Sequence, residues 1–277
     1  MAIWHSIRER WHPLWRLRQF AAYRWLQQRV DCMVYTRIPG TGLRVAVKLL
    51  RDAVWITSPE SLELEIRAAF ALVLDRLKPA VFWDVGANIG YYSWLVRQHP
   101  AVQQVLLFEP DPTNHALITK TIRKNAILDC QAMQVALSDR CGEARFLVDR
   151  ASGATGSLEA AARPEEESSL HHAYRMTETI ACETATVDSL IAKGVRPPNL
   201  MKIDVEGAED LVLAGAAGCL EKYRPVLFVE TAKADLVQRL GDLGYRAFRI
   251  DAENVLFIPE TAEMDGTPFS EAFGPYR

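Results

Sequence analysis

No uncharged apolar run in this chain approaches the roughly 18 residues that a membrane-spanning helix needs. The longest uncharged stretches, such as residues 85–96, are shorter and are interrupted by Gly and Asn. The first residues lack the unbroken apolar core of a secretory signal, because arginines divide it. Cysteine is scarce: Cys32, Cys130, Cys141, Cys182 and Cys219 are scattered, odd in number and without a C-x-x-C pair. That pattern favours reduced thiols over a disulfide framework or a zinc site. No metal-ligand spacing stands out, so no metal is expected. Neither sign of charge dominates: 32 basic residues face 35 acidic ones, for a net charge of −3. Nucleic-acid binding driven by bulk charge is thereby excluded. No segment repeats. These absences describe a cytoplasmic globular protein, and its 49% apolar residues are enough for a sizeable core.

What is present is alternation. Residues 34–38 and 43–49 flank Pro39-Gly40-Thr41-Gly42 and predict a β-hairpin. Residues 53–57 predict a third short strand, and a helix follows from about Pro59 to Leu77. From there, strands at 81–85, 104–109, 131–137, 199–205 and 225–231 alternate with helical stretches. Strand–helix alternation predicts an α/β fold: a doubly wound, mostly parallel sheet covered on both faces. Residues 245–250 and 254–258 are separated by only three residues, which predicts an antiparallel hairpin at one edge. Residues 144–148 and 178–184 predict an added strand pair. The polar stretch between them, 149–175, reads as a loop or insertion. The expected division is 1–58, N-terminal helices and hairpin, and 59–277, the ligand-binding domain.

The strongest local motif is Asp84-Val85-Gly86-Ala87-Asn88-Ile89-Gly90, where an apolar strand runs into a Gly-rich turn and a helix. Glycine lets backbone turn sharply and approach a ligand closely. Asn88 stands at a position where left-handed backbone is common, and Asn tolerates it. In an open α/β sheet, ligands bind beyond the carboxyl ends of the strands at the switch point. Glu109 closes the second strand, where an acid accepts hydrogen bonds from the ribose hydroxyls of a nucleoside cofactor. A dinucleotide is disfavoured, because the G-x-G-x-x-G triple is missing and Asp84 would repel a pyrophosphate. The same carboxylate suits the ammonium of an amino-acid moiety, which S-adenosylmethionine carries.

A second motif, Lys202-Ile203-Asp204-Val205-Glu206-Gly207-Ala208-Glu209, ends another buried strand. Asp204 and Glu206, two residues apart, share a face of the strand end. They are candidates to orient or deprotonate an acceptor hydroxyl, with Glu230 at the next strand end as the third. The alternative makes Glu206 a helix cap and Glu209 a solvated first-turn acid favoured by the helix dipole.

With Phe108-Glu109-Pro110, Asn125, Ala136-Leu137-Ser138-Asp139, Thr186–Leu190, Pro225–Glu230 and Gly244-Tyr245, these motifs in order resemble the FkbM-type methyltransferases over about residues 60–259. The resemblance implies a class I methyltransferase fold, S-adenosyl-L-methionine as donor, and O-methylation of a sugar, glycan or natural-product hydroxyl. N-methylation or a non-catalytic cofactor-binding module are the other readings. Asp84, Gly86, Ala87, Asn88, Gly90, Glu109, Pro110 and Asp204 are implied as cofactor contacts, with Ser138 and Asp139 at the adenine edge. His171 and His172 lie in the polar insertion, where a solvated loop competes with a role as base or ligand.

Residues 1–30 carry six arginines against Glu9 alone, with Trp4, Ile7, Trp11, Leu14 and Trp25 at helical spacing. Such a segment suits a helix lying on an anionic membrane surface, at the inner face. It equally suits helices packed on the catalytic domain or on a second subunit in an oligomer.

Overall fold

The computed structural model describes residues 20–57, 64–161, 177–231, 233–262 and 267–273. Residues 1–19 of the N-terminal segment, His171, His172 and the acidic run 165–167 lie outside the described residues.

A seven-stranded sheet forms the centre. Its strands are β3 (Val81–Val85), β4 (Gln104–Phe108), β5 (Cys130–Met133), β10 (Leu200–Ile203), β11 (Val226–Glu230), β12 (Tyr245–Arg249) and β13 (Asn254–Pro259). Their order is β12-β13-β11-β10-β3-β4-β5, parallel except that β13 runs antiparallel to β11 and β12. The chain starts in the middle, at β3, winds outward through β4 and β5, then crosses back to β10 on the other side of β3. The crossover leaves a switch point beyond the carboxyl ends of β3 and β10.

Strand alternation divides the core. Phe82 faces a cluster with Phe70, Leu117 and Phe228, whereas Val81, Trp83 and Val85 face one with Met201, Val212 and Leu227. The first cluster is covered by α3 (Leu64–Leu77), α4 (Tyr91–Val96) and α5 (Pro112–Lys124). Phe70 of α3 stacks on Phe228 with ring centroids 3.9 Å apart. The second is covered by α6 (Val187–Ala192), α7 (Glu209–Ala214), α8 (Ala217–Lys222) and α9 (Ala234–Asp242).

The predicted hairpin is present as β1 (Met33–Arg37) and β2 (Arg44–Lys48). It packs on α5, where the Ala46 N–H donates to Thr121 Oγ1, and Val45, Ala46 and Val47 belong to the same buried cluster as Phe70. Ahead of it lies α1 (Ala21–Val30).

Two expectations are corrected. Residues Ala53–Thr57 form a short helix, α2, not a strand. Five apolar residues give no periodicity that separates the two; here the Trp55 N–H closes a turn on the Asp52 carbonyl. The strand expected over 131–137 is two strands. After β5 the chain leaves the main sheet, and β6 (Ala136–Leu137) pairs instead with β9 (Thr177–Ala185). With β7 (Gly142–Asp149) and β8 (Ser157–Leu158) these make a second sheet of order β6-β9-β7-β8. The expected strand pair is thus the centre of a small sheet standing beside the cleft.

Candidate active site

The turn after β3 is held by backbone: Gly86 and Ala87 N–H both donate to the Phe108 carbonyl at the end of β4. Gly86, Asn88 and Gly90 have φ of +79°, +53° and +82°. A Cβ on Gly86 would overlap the Asp204 carbonyl oxygen, and one on Gly90 would overlap the Trp94 indole. Gly86 is therefore required by the close approach of this turn to the end of β10, a reason the sequence did not reveal. Asp84 is buried, with Oδ2 accepting from Ser93 N at 3.2 Å and Ser93 Oγ at 2.6 Å. It braces the first turn of α4, and burial pushes its pKa up. Gly86 and Asn88 line the cleft beyond the strand ends; Asp84, Ala87 and Gly90 lie behind that wall.

Glu109 is aimed by two backbone donors: Asn88 N–H reaches Oε2 at 2.7 Å, and Asp111 N–H reaches Oε1 at 2.9 Å. Each carboxylate oxygen keeps a lone pair for a further donor. Burial pushes the Glu109 pKa up to about 8 in spite of those bonds. Asp111 caps α5 by accepting from Thr113 N–H at 2.8 Å, with Pro112 at the first helical position. Glu109 and Pro110 line the cleft. Ser138 lies on a separate groove beside Arg140 and Thr184, and Asp139 lines neither.

The second motif assembles a chain of charges. Lys202 sits beside Asp84 in the parallel register of β10 and β3, so both side chains leave the same face. Its buried ammonium contacts Asp204 Oδ2 at 2.6 Å and lies 4.7 Å from the centre of the Tyr92 ring. Burial alone would raise the Asp204 pKa; the Lys202 charge and hydrogen bonds from Glu230 and Lys202 outweigh it and hold Asp204 low. Glu230 is driven the other way, chiefly by the Asp204 charge and then by burial. The two shifts oppose each other, and they favour Glu230 as hydrogen-bond donor to an ionised Asp204. Asp204 and Glu206 line the cleft, and Glu230 stands behind Asp204. Glu206 has φ +52°, a conformation that non-glycine residues hold only when the surroundings enforce it. Glu209 is 2% exposed and accepts from Gly207 N–H at 2.8 Å, so it is a buried brace of this turn, not a solvated acid.

The cleft encloses a narrow cavity of about 60 Å³ that opens to solvent. Its outer wall is the start of the polar insertion, residues 149–156, joined by Phe146 and Leu158 of the small sheet. Asp149 ties this loop by accepting from Ala151 N–H and Thr155 Oγ1. Elements remote in sequence clamp it from outside. Gln27 of α1 donates to the Arg150 and Ala151 carbonyls, and Asn114 of α5 donates to the Gly153 carbonyl. Arg51, paired with Asp52 at 2.7 Å, lies against Gly153. Sequence reasoning missed Gln27, Arg51 and Asn114, because no motif surrounds them.

The methyltransferase FkbM domain pattern matches residues 84–247, which is more than half the chain and contains all of these motif residues. The chain belongs to the FkbM methyltransferase family. Three curated relatives are similar to it. The 2-O-methyltransferase NoeI of Sinorhizobium fredii is 27% identical over 75% of this chain and 84% of its own length. The 31-O-demethyl-FK506 methyltransferase FkbM of Streptomyces tacrolimicus is 33% identical over 50% of this chain and 61% of its own. The hexuronic acid methyltransferase AglP of Haloferax volcanii is 29% identical over 53% of this chain and 54% of its own. The strand order of the FkbM-family chain, starting at β3 and winding outward on both sides, is the doubly wound order expected from the sequence. Among the described residues no cluster of three or more His, Cys, Asp or Glu is arranged to hold a metal ion.

Proposed function

We propose that this FkbM-family chain transfers a methyl group from S-adenosylmethionine to a hydroxyl of a sugar, glycan or natural product. The observation that carries this reading is Glu109, fixed by two backbone N–H groups at the end of β4 with acceptor capacity to spare toward the cleft. The residues present fit the donor. Glu109 accepts from ribose hydroxyls, and the buried Asn88 Oδ1, which has no partner among the described residues, adds a second acceptor in the lining. Val135, Phe146 and Leu158 give an apolar slot for a purine.

The bound donor supplies a methyl group on a sulfonium, already activated for in-line displacement, so the protein's task is alignment and proton removal. Asp204, kept ionised by Lys202, would take the proton of the acceptor hydroxyl. Glu230 keeps its own proton and donates a hydrogen bond to Asp204, which helps hold that carboxylate ionised until the acceptor's proton arrives. Glu206 holds the acceptor from the same turn. Two relatives support this acceptor class, one a 2-O-methyltransferase and one a hexuronic acid methyltransferase. The test is a screen of sugar and glycan acceptors with isotopically labelled S-adenosylmethionine. Label should enter an ether methyl with wild type and not with Asp204→Asn; incorporation only at nitrogen would contradict the reading.

The segment 1–30 is proposed to touch anionic lipid. Its described part, α1, exposes Trp25, Leu26 and Val30, with Phe20 just before it and the Arg29 guanidinium 5.6 Å from the Trp25 ring centre. No helix among the described residues is long and apolar enough to cross a membrane.

A further inference from the structure

The adenine edge of the donor needs an acceptor for its exocyclic amine, and the residues expected to supply it, Ser138 and Asp139, do not line the cleft. Three other polar side chains stand on the purine side of Glu109. Asp111 is engaged as the cap of α5 and by Arg150. Asp149 is engaged by the loop it ties, through Ala151, Ser152 and Thr155. Asn114 is the third. It is 3% exposed, lines the cleft one turn into α5, and its Oδ1 is buried with no partner among the described residues. A buried amide oxygen left unpaired is destabilising, so this one is a place where a ligand donor is expected.

The other end of the same amide settles its orientation. Asn114 Nδ2 donates to the Gly153 carbonyl at 2.9 Å, so turning the amide over would break that bond and set two carbonyl oxygens against each other. The oxygen therefore keeps its place on the side of the amide away from the Gly153 carbonyl, in a side chain that lines the cleft. Pro110, Val135 and Phe146 supply the apolar walls beside it.

We propose that Asn114 is the nucleobase-selecting residue: its Oδ1 accepts a hydrogen bond from the 6-amino group of adenine, while its Nδ2 holds the 149–156 loop over the base. This rests on S-adenosylmethionine being the donor. A 6-oxo purine would face Asn114 Oδ1 with an acceptor instead of a donor and be rejected.

The test is equilibrium binding of two product analogues, S-adenosylhomocysteine and S-inosylhomocysteine, to the full chain by calorimetry. Wild type should bind the adenosyl compound at least about tenfold more tightly. Asn114→Ala and Asn114→Leu, checked for folding by thermal melting, should bind both compounds with a ratio near one. A wild-type ratio near one overturns the assignment whatever the variants do. So does a preference that survives in a folded variant. Both of those results leave the donor reading intact, because the adenosyl compound still binds. Failure of wild type to bind either compound would overturn the donor reading, and this inference with it.

Discussion

At the scale of single residues, the charge arrangement under the cleft makes predictions that differ between neighbours. Asp204→Asn removes the nearest counter-charge of the buried Lys202, so it should cost about 3 kcal/mol of stability as well as most turnover. Glu230→Gln still offers a donor to Asp204, so it should cost under about 1 kcal/mol and keep most turnover. Urea unfolding and a methyl-transfer assay on both variants check this; equal effects would show that the proton is not on Glu230. Glu109 predicts a pH effect. The folded protein keeps its proton up to about pH 8, whereas the unfolded chain releases it near 4.5. Stability should therefore fall as pH rises through that window and level off above it. Glu109→Gln should flatten this part of the profile in denaturant titrations at several pH values. That Glu109, Asn88 and Asp204 meet at one cleft was legible in the sequence, because strand ends and a Gly-rich turn converge at the switch point. The burial of Lys202 and the acceptor of Asn114 were not, because both depend on which strand or loop lies alongside.

At the scale of elements, the outer wall of the cleft is held by parts of the chain more than 100 residues away. Gln27→Ala removes two hydrogen bonds to the loop and should cost about 1–2 kcal/mol, seen as a lower melting temperature. Gly153→Ala sets a Cβ 2.5 Å from the Arg51 guanidinium at φ +67° and should cost a similar amount. Both changes should weaken donor binding several-fold, since the loop lines the cleft; unchanged binding would mean that the loop's position is not used. Strands β3, β4, β10 and β11 were readable as short apolar runs, and the β12–β13 hairpin from its three-residue connection. The small sheet was not: its β6 is two residues long, and its pairing with β9 joins segments about 50 residues apart. Helix α2 was misread for want of length.

At the scale of the whole molecule, the N-terminal segment meets two demands at once. Its inner face anchors the loop through Gln27, and Tyr23 donates to the Leu50 carbonyl, while Trp25, Leu26 and Val30 stay exposed. A chain beginning at Val30 should therefore melt earlier and bind the donor less tightly. Trp25→Glu with Leu26→Glu should leave melting unchanged and reduce co-sedimentation with phosphatidylglycerol vesicles; equal sedimentation would refute the lipid contact. The central claim is that the cleft beyond β3, β4 and β10 is a donor site organised by Glu109. Calorimetric titration of S-adenosylmethionine into wild type and Glu109→Ala tests it most directly. The account predicts one molecule bound per chain, and at least about tenfold weaker binding in a variant that melts cooperatively, as expected for lost hydrogen bonds to the ribose hydroxyls. No binding to wild type, or equal affinity in the folded variant, would contradict it.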